Sequence, residues 1–362
     1  MELLLIFGSF VLAFILILVT VPPIVAIARA KKLYEPFEDR KVHTEIVPPL
    51  GGVAIFIAFI LSTIIATDGL SFDSLKYIIA AVIIMFFIGL KDDILVISAH
   101  KKFLVQMFAA VLLIALGNIR FTNLHGIFGI HEIGYLTSVS LSLLAMIGII
   151  NAFNLIDGID GLASGLAITG AFVFGIWFYL SENYQLSIMA FALVGSLSGF
   201  FLYNVFGKRN KLFMGDTGSL IVGIVMSTLV IKFNELNLVA DSVAFSSAPA
   251  LSFAVVSVPI IDTLRVLAIR LSRKKSPFSP DKNHVHHYLL ELIPNSHLKV
   301  TLIIVAVNAL MIAGAVLLDS FAWNVNIQFF LLVSVGILIS FIPSALSKSK
   351  YKRKGYSSAT TM

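Results

Sequence analysis

Apolar residues in this chain come in long runs, broken by short polar stretches, rather than in the alternation of half-buried strands. A bilayer core takes about 20 consecutive apolar residues per helix. A window of that length marks spans near residues 3–28, 50–67, 75–91, 103–118, 134–153, 161–180, 185–203, 217–233, 244–268, 298–318 and 326–346. The pattern predicts an all-α polytopic membrane protein with eleven transmembrane helices and its termini on opposite sides. Residues 1–346 read as one transmembrane domain and 347–362 as a basic tail. The first run has no basic residue ahead of it and is too long for a signal-peptide core, so it reads as an uncleaved span.

Composition agrees. Of 362 residues, 58% are hydrophobic and 13% charged, and mean hydropathy is +0.98; a soluble domain carries about a quarter charged residues. Cysteine is absent, which excludes disulfides, thiolate catalysis and cysteine-held zinc or iron–sulfur sites. The net charge of +6 is no nucleic-acid signal, because the basic residues sit in short loops beside apolar spans. All but three of the 26 basic residues (Lys76, Arg120 and Lys232) fall in one set of alternate loops and the C-terminal tail. Basic loops stay inside, so the expected topology has the N-terminus outside and the C-terminus in the cytoplasm.

Charge at the bilayer centre is costly, about 2.5–3.5 kcal/mol per group or more, and marks function when present. Here the span middles are nearly free of it. The carboxylates gather at cytoplasmic span ends: Asp92 and Asp93, Asp157 and Asp160, and Asp216, with Asp262 and Asp281 as further candidates. A transporter places its site near the midplane, so this placement favours an enzyme acting where a lipid headgroup meets a cytosolic substrate.

Four segments carry the candidate chemistry. In Asn151-Ala-Phe-Asn-Leu-Ile-Asp-Gly-Ile-Asp-Gly-Leu-Ala-Ser-Gly165, Asp157 and Asp160 share a face if the backbone is helical; alternatively, either one caps the sixth span. Lys208-Arg-Asn-Lys-Leu-Phe-Met-Gly-Asp-Thr-Gly-Ser219 leads a basic loop into a span start, where Asp216 is either a cap or a hard oxygen ligand for Mg²⁺ beside phosphates. Asp92-Asp93 is a like-charged pair, either a solvated loop or a pair held ionised by Lys101 or Lys102. Arg273 to His287 contains His284, His286 and His287, three of the chain's eight histidines. No further ligands for zinc accompany them, and phosphate or sugar hydrogen bonding suits them better.

Together with Pro48-Pro-Leu-Gly-Gly52, these segments resemble, in order along the chain, the polyprenyl-phosphate N-acetylhexosamine-1-phosphate transferase superfamily (glycosyltransferase 4, MraY-like). The form of the histidine segment is similar to the GlcNAc, or WecA-type, branch rather than the branch that moves phospho-MurNAc-pentapeptide. The resemblance implies transfer of GlcNAc-1-phosphate from UDP-GlcNAc to undecaprenyl phosphate at the inner membrane of a bacterium, with release of UMP. It implies Mg²⁺, with Mn²⁺ as a substitute, on Asp216 and Asn154. Asp157, Asp160 and Phe213 would hold the UDP end, Phe213 by stacking on uracil, while Lys102, His284, His286 and His287 would contact pyrophosphate and sugar. Asp92 and Asp93 would position or deprotonate the lipid phosphate, with help from Arg40, Lys41 and His43. Membrane lipids are implied partners, and a homodimer is compatible with the sequence. A one-step displacement and a covalent phosphoryl-enzyme both fit the residues, and a polyprenyl-lipid transporter is the rival of a different class.

Overall fold

The structure, a computed structural model, describes residues 1–33, 47–67, 74–276, 283–294 and 296–353, the side chains of 351–353 excepted. Every predicted span is a helix: α1 (Glu2–Ala30), α2 (Gly51–Ala66), α3 (Leu75–Ile94), α4 (Ala99–Ala115), α5 (Tyr135–Ile156), α6 (Leu162–Leu180), α7 (Tyr184–Phe201), α8 (Gly215–Asn237) and α9 (Ala248–Ser272). A short helix, α10 (Val285–Leu292), which the hydrophobic pattern does not predict, precedes α11 (His297–Ser320) and α12 (Val325–Arg353). There is no β-strand among the described residues beyond one isolated bridge, Asn123 with Glu132. In hydrocarbon every backbone polar group must be satisfied within the chain, which helices achieve unaided.

Eight of these helices are long and apolar enough to cross a membrane, by length and composition: α1, α5, α6, α7, α8, α9, α11 and α12. The remaining three of the expected eleven fall short for physical reasons. α2 and α4 have only 16 and 17 residues, and α3 carries Lys76, Lys91, Asp92 and Asp93 near its ends.

α8 is the axis of the bundle. Most of its side chains are buried, and α2, α3, α5, α6 and α9 pack around it. α1 and α12 lie outside and present Leu4, Phe7, Leu338 and Phe341 outward. Packing is close at the first turn of α8, where a Cβ on Gly52 or Gly89 would strike the backbone of Thr217 or Gly218. Small residues let helices approach where lipid supplies no hydrophobic drive between them. The segment before α2 is stitched to the segment before α8: Phe213 N–H donates to Pro48 O at 3.0 Å, while Gly51 and Gly52 N–H donate to Phe213 O and Met214 O, both at 2.9 Å. The Pro-Pro-Leu-Gly-Gly motif is therefore an anchor for the loop that delivers Asp216.

Candidate active site

The C-terminal ends of α3, α5 and α9 and the N-terminal ends of α4, α6, α8, α10 and α11 converge at one end of the bundle, and the candidate residues converge with them. At the centre is the first turn of α8. Gly215 has φ +70°, and a Cβ there would land on Pro49 O and on the Asp93 carboxylate, so the turn is open only to glycine. The Asp93 carboxylate caps α8: Asp216 N–H donates to Oδ1 at 2.7 Å and Thr217 N–H to Oδ2 at 3.0 Å, and the Thr217 hydroxyl donates to Oδ2 as well. A carboxylate belongs at a helix N-terminus, where it satisfies orphan N–H groups and the dipole. Asp216 is thereby released from capping, and its side chain faces the site.

Asp92 lies one residue earlier and points elsewhere. Its Oδ1 accepts from Ile97 N–H at 2.7 Å, and its Oδ2 accepts from Lys102 Nζ at 3.1 Å. The same ammonium is 2.6 Å from Asp216 Oδ1 and 3.4 Å from Asn154 Oδ1. Asn154 Nδ2 donates to Asp216 Oδ1 and, at 2.9 Å, to Ser219 Oγ. Three oxygens from three helices thus surround one positive charge, and Asp92 and Asp216 lie within hydrogen-bonding reach of each other. Of the two lysines the sequence offered, Lys102 enters this cluster and Lys101 is exposed. Lys102 is thus the lysine that lies beside the carboxylates, as one reading of the Asp92-Asp93 pair expects.

Asp157 and Asp160 do not share a helical face. α5 stops at Ile156 and α6 starts at Leu162 after a turn whose Gly161 has φ +78°. Neither aspartate caps α6; its N-cap is Gly161, without a side-chain bond. Asp160 is engaged by Lys211 Nζ at 2.7 Å, by His297 Nδ1 at 3.4 Å, and through its carbonyl by the Thr301 hydroxyl at 2.8 Å. Burial alone would raise its carboxyl, but His297 and Lys211 hold it below the usual range. Asp157 has no hydrogen-bond partner among the described residues. Burial first, then the charges of Asp216, Asp93 and Asp160, push it up to about 8. Such an excess of carboxylate is what a bound cation relieves.

Two residues that the sequence does not single out as site residues hold these loops. Asn204 is buried in the π-helical turn Leu202–Phe206 that follows α7. It accepts from Gly161 N–H at 2.6 Å and donates to Leu212 O at 3.0 Å, tying the Asp157–Asp160 turn to the loop before Asp216. Lys211, besides engaging Asp160, places Nζ 5.8 Å from the centre of the Phe213 ring, and Phe213 is exposed as a stacking platform requires. An asparagine ending an apolar run and a lysine in a basic loop carry no distinctive signal.

The histidines stand on the wall formed by α9 and α10. His284 and His286 are buried and stacked with ring centres 5.6 Å apart, and His286 lies 4.2 Å from His287. Burial and the neighbouring His287 push His286 down to about 3, so it stays neutral. Arg40, Lys41, His43 and Asp281 lie outside the described residues.

The donor set fits a hard divalent cation. Mg²⁺ is held by one or two carboxylates and completes its shell with water and substrate phosphates, and Asp216, Asp92 and the Asn154 amide supply oxygens of that kind. Among the described residues, no group of three or more His, Asp or Glu side chains is placed to hold a metal ion by itself.

These features define a multi-pass membrane protein with an oxygen-rich, lysine-bearing cluster at one end of its bundle. Residues 75–234, which contain most of that cluster, match the glycosyl transferase family 4 model, in line with the resemblance read from the motifs. The chain is similar to the probable undecaprenyl-phosphate N-acetylglucosaminyl 1-phosphate transferase of Bacillus subtilis (strain 168), with 29% identity over 95% of this chain and 93% of that one. It is also similar to the undecaprenyl-phosphate alpha-N-acetylglucosaminyl 1-phosphate transferases of Yersinia pestis, at 28% over 76% of this chain and 74% of that one, and of Escherichia coli (strain K12), at 28% over 73% and 71%.

Proposed function

We propose that this chain transfers GlcNAc-1-phosphate from UDP-GlcNAc to undecaprenyl phosphate, at the cytoplasmic face of a bacterial inner membrane. The products are GlcNAc-diphospho-undecaprenol and UMP. One observation carries the reading: Asp92, Asp216 and Asn154 gather around a single positive charge at the start of α8, in a chain that matches such a transferase over nearly its whole length.

In the reaction, an oxygen of the lipid phosphate forms a bond to the sugar-bearing β-phosphorus. The bond from that phosphorus to the bridging oxygen breaks, and UMP leaves with the oxygen. A phosphate monoester has a second pKa near ~6, so the nucleophile is largely dianionic at neutral pH and direct displacement needs little base. Asp92, beside Lys102, orients the incoming phosphate and takes a residual proton. Asp93 acts through the backbone it caps. Lys102 supplies fixed positive charge, and Phe213 offers its face to uracil, with Lys211 and Asp160 beside it. Asp216 and Asn154 would hold Mg²⁺, which would offset the charge that develops on the leaving UMP.

The test is UMP release by purified protein in detergent with undecaprenyl phosphate and Mg²⁺, comparing UDP-GlcNAc, UDP-GalNAc and UDP-MurNAc-pentapeptide. Release from UDP-GlcNAc alone, abolished by EDTA, is expected. Release from the MurNAc donor alone would overturn the sugar assignment, and silence with every donor would overturn the reaction.

A further inference from the structure

The proposed mechanism leaves the buried carboxylate of Asp262 without a task. Asp262 sits in the inner part of α9 and is 2% exposed, and a carboxylate in such a place must be fully satisfied or it is very costly. It is satisfied almost entirely by the histidine segment. Asp262 Oδ2 lies 2.8 Å from His284 Nδ1, and Asp262 Oδ1 accepts from Val285 N–H at 2.9 Å, the first residue of α10. Arg265, one helical turn on and also buried, donates to Asp262 Oδ1 at 3.0 Å and to the Asn283 carbonyl. Its guanidinium lies 5.7 Å from the ring centre of Tyr288, whose hydroxyl donates to Asn283 Oδ1 at 2.7 Å.

Each of these contacts fixes a different degree of freedom of one turn. The Val285 bond starts α10, the Asn283 bond sets the chain's approach to it, and the Nδ1 bond sets both the plane and the tautomer of His284. An imidazole whose Nδ1 faces a carboxylate carries its proton there and presents Nε2 to whatever comes next. His284 in turn stacks on His286, whose ring presses on the Asp157–Gly158 turn so closely that a Cβ on Gly158 would overlap Nε2. The far end of α10 is fastened as well: Lys350 Nζ donates to Glu291 O at 2.8 Å, and Ser347 donates to the Glu291 carboxylate.

From this arrangement the structure assigns Asp262, supported by Arg265, the part of a positioning residue that locks His284 and the start of α10 against the Asp157–Gly158 turn. Neither residue touches the reacting atoms. They act on the UDP-sugar through the histidines, so the assignment rests on the transferase reading given above. An orienting partner of an imidazole typically contributes about 10–100-fold.

The experiment is a double-mutant cycle on UMP release from UDP-GlcNAc, using Asp262→Asn, His284→Ala and the combination. Asp262→Asn together with Arg265→Gln is added because it removes both buried charges rather than stranding one. We expect about a 10–100-fold loss of kcat/KM for UDP-GlcNAc in Asp262→Asn and in the paired variant, with KM for undecaprenyl phosphate unchanged. Little further loss is expected when Asp262→Asn is added to His284→Ala. Full activity in the paired variant, or losses that multiply in the double mutant, would overturn the assignment. A merely structural role would lower the amount of folded enzyme without this non-additivity. Hydrogen exchange across residues 283–292 separates this claim from the transferase reading. If the wild type released no UMP, the transferase reading would fail, and exchange would decide the clamp alone: acceleration confined to that segment in the paired variant supports it, and unchanged exchange overturns it.

Discussion

The carboxylate cluster and the histidine wall lie at the same end of the bundle and are held in opposite ways. In the cluster, groups from α3, α4, α5 and α8 hold one another: Lys102 is shared by Asp92, Asp216 and Asn154, and each of these is partly open to solvent. On the wall, His284 is held from behind by the buried Asp262. The cluster is therefore tuned for charge, the wall for orientation. Losing a group from the first should remove chemistry outright, whereas losing the support of the second should only blur it.

The largest expected effect follows from that contrast. Asp216→Asn and Asp92→Asn should each lower kcat by a factor on the order of 10²–10³, the range for removing one preorganised charge-stabilising group. Asp216→Asn should not shift the thermal midpoint appreciably, because its side chain answers to Lys102 and Asn154 rather than to backbone, whereas Asp92→Asn keeps an oxygen for Ile97 N–H and should lower it only slightly. Steady-state UMP release and a thermal melt of the same preparations check both halves of the statement.

Asp93 should break the pattern, though it is the neighbour of Asp92. Asp93→Ala removes the cap of α8 and should cost about 1–2 kcal/mol of stability, seen as a lowered midpoint, with activity lost because Asp216 is no longer presented. Should Asp93→Ala instead melt like wild type while losing activity, Asp93 belongs with Asp92 as a chemical group.

A subtler test uses pH. In the folded protein Asp157 keeps its proton to about pH 8, against 3.8 for an ordinary aspartate. Between those values the native state binds more protons than the unfolded one, so stability falls as pH rises through the window. In EDTA, the wild-type midpoint should therefore drop more steeply from pH 6 to pH 8 than that of Asp157→Asn. Parallel curves would mean that Asp157 is not crowded by Asp216, Asp93 and Asp160.

The smallest effect is expected at Lys211. Its cation near the Phe213 ring is worth about 0.5–1 kcal/mol at an exposed site, so Lys211→Met should raise KM for UDP-GlcNAc about two- to fivefold. An unchanged KM would remove Lys211 from the uridine end of the site.

The helices were legible because twenty-odd apolar residues in a row have few other uses, and their boundaries in the structure fall within a few residues of the hydrophobic runs, except that α12 runs on to Arg353 through the start of the expected basic tail. The candidate residues were legible as types at span ends, since a carboxylate beside a bilayer has to be explained. What held them was not. Asp92 and Asp93 are indistinguishable in sequence, yet a rotation of one residue along α3 sends one to Lys102 and the other to the backbone of α8. Asp157 and Asp160 look like a helical pair because their spacing allows it, but α5 ends at Ile156 and both lie in the turn before α6. Asn204, Lys211 and Arg265 act through contacts from about ten to fifty residues distant in sequence, which no local pattern encodes.

The central claim is that the cluster moves a phosphosugar rather than a bare sugar. It is tested most directly by UDP-GlcNAc labelled with ³²P at the β-phosphorus, incubated with undecaprenyl phosphate, Mg²⁺ and either wild-type protein or Asp216→Asn. The account predicts label in the lipid phase with wild type, unlabelled UMP in the aqueous phase, and almost no transfer with the variant. Label retained in aqueous UDP while the sugar enters the lipid, or equal transfer by the variant, would contradict it.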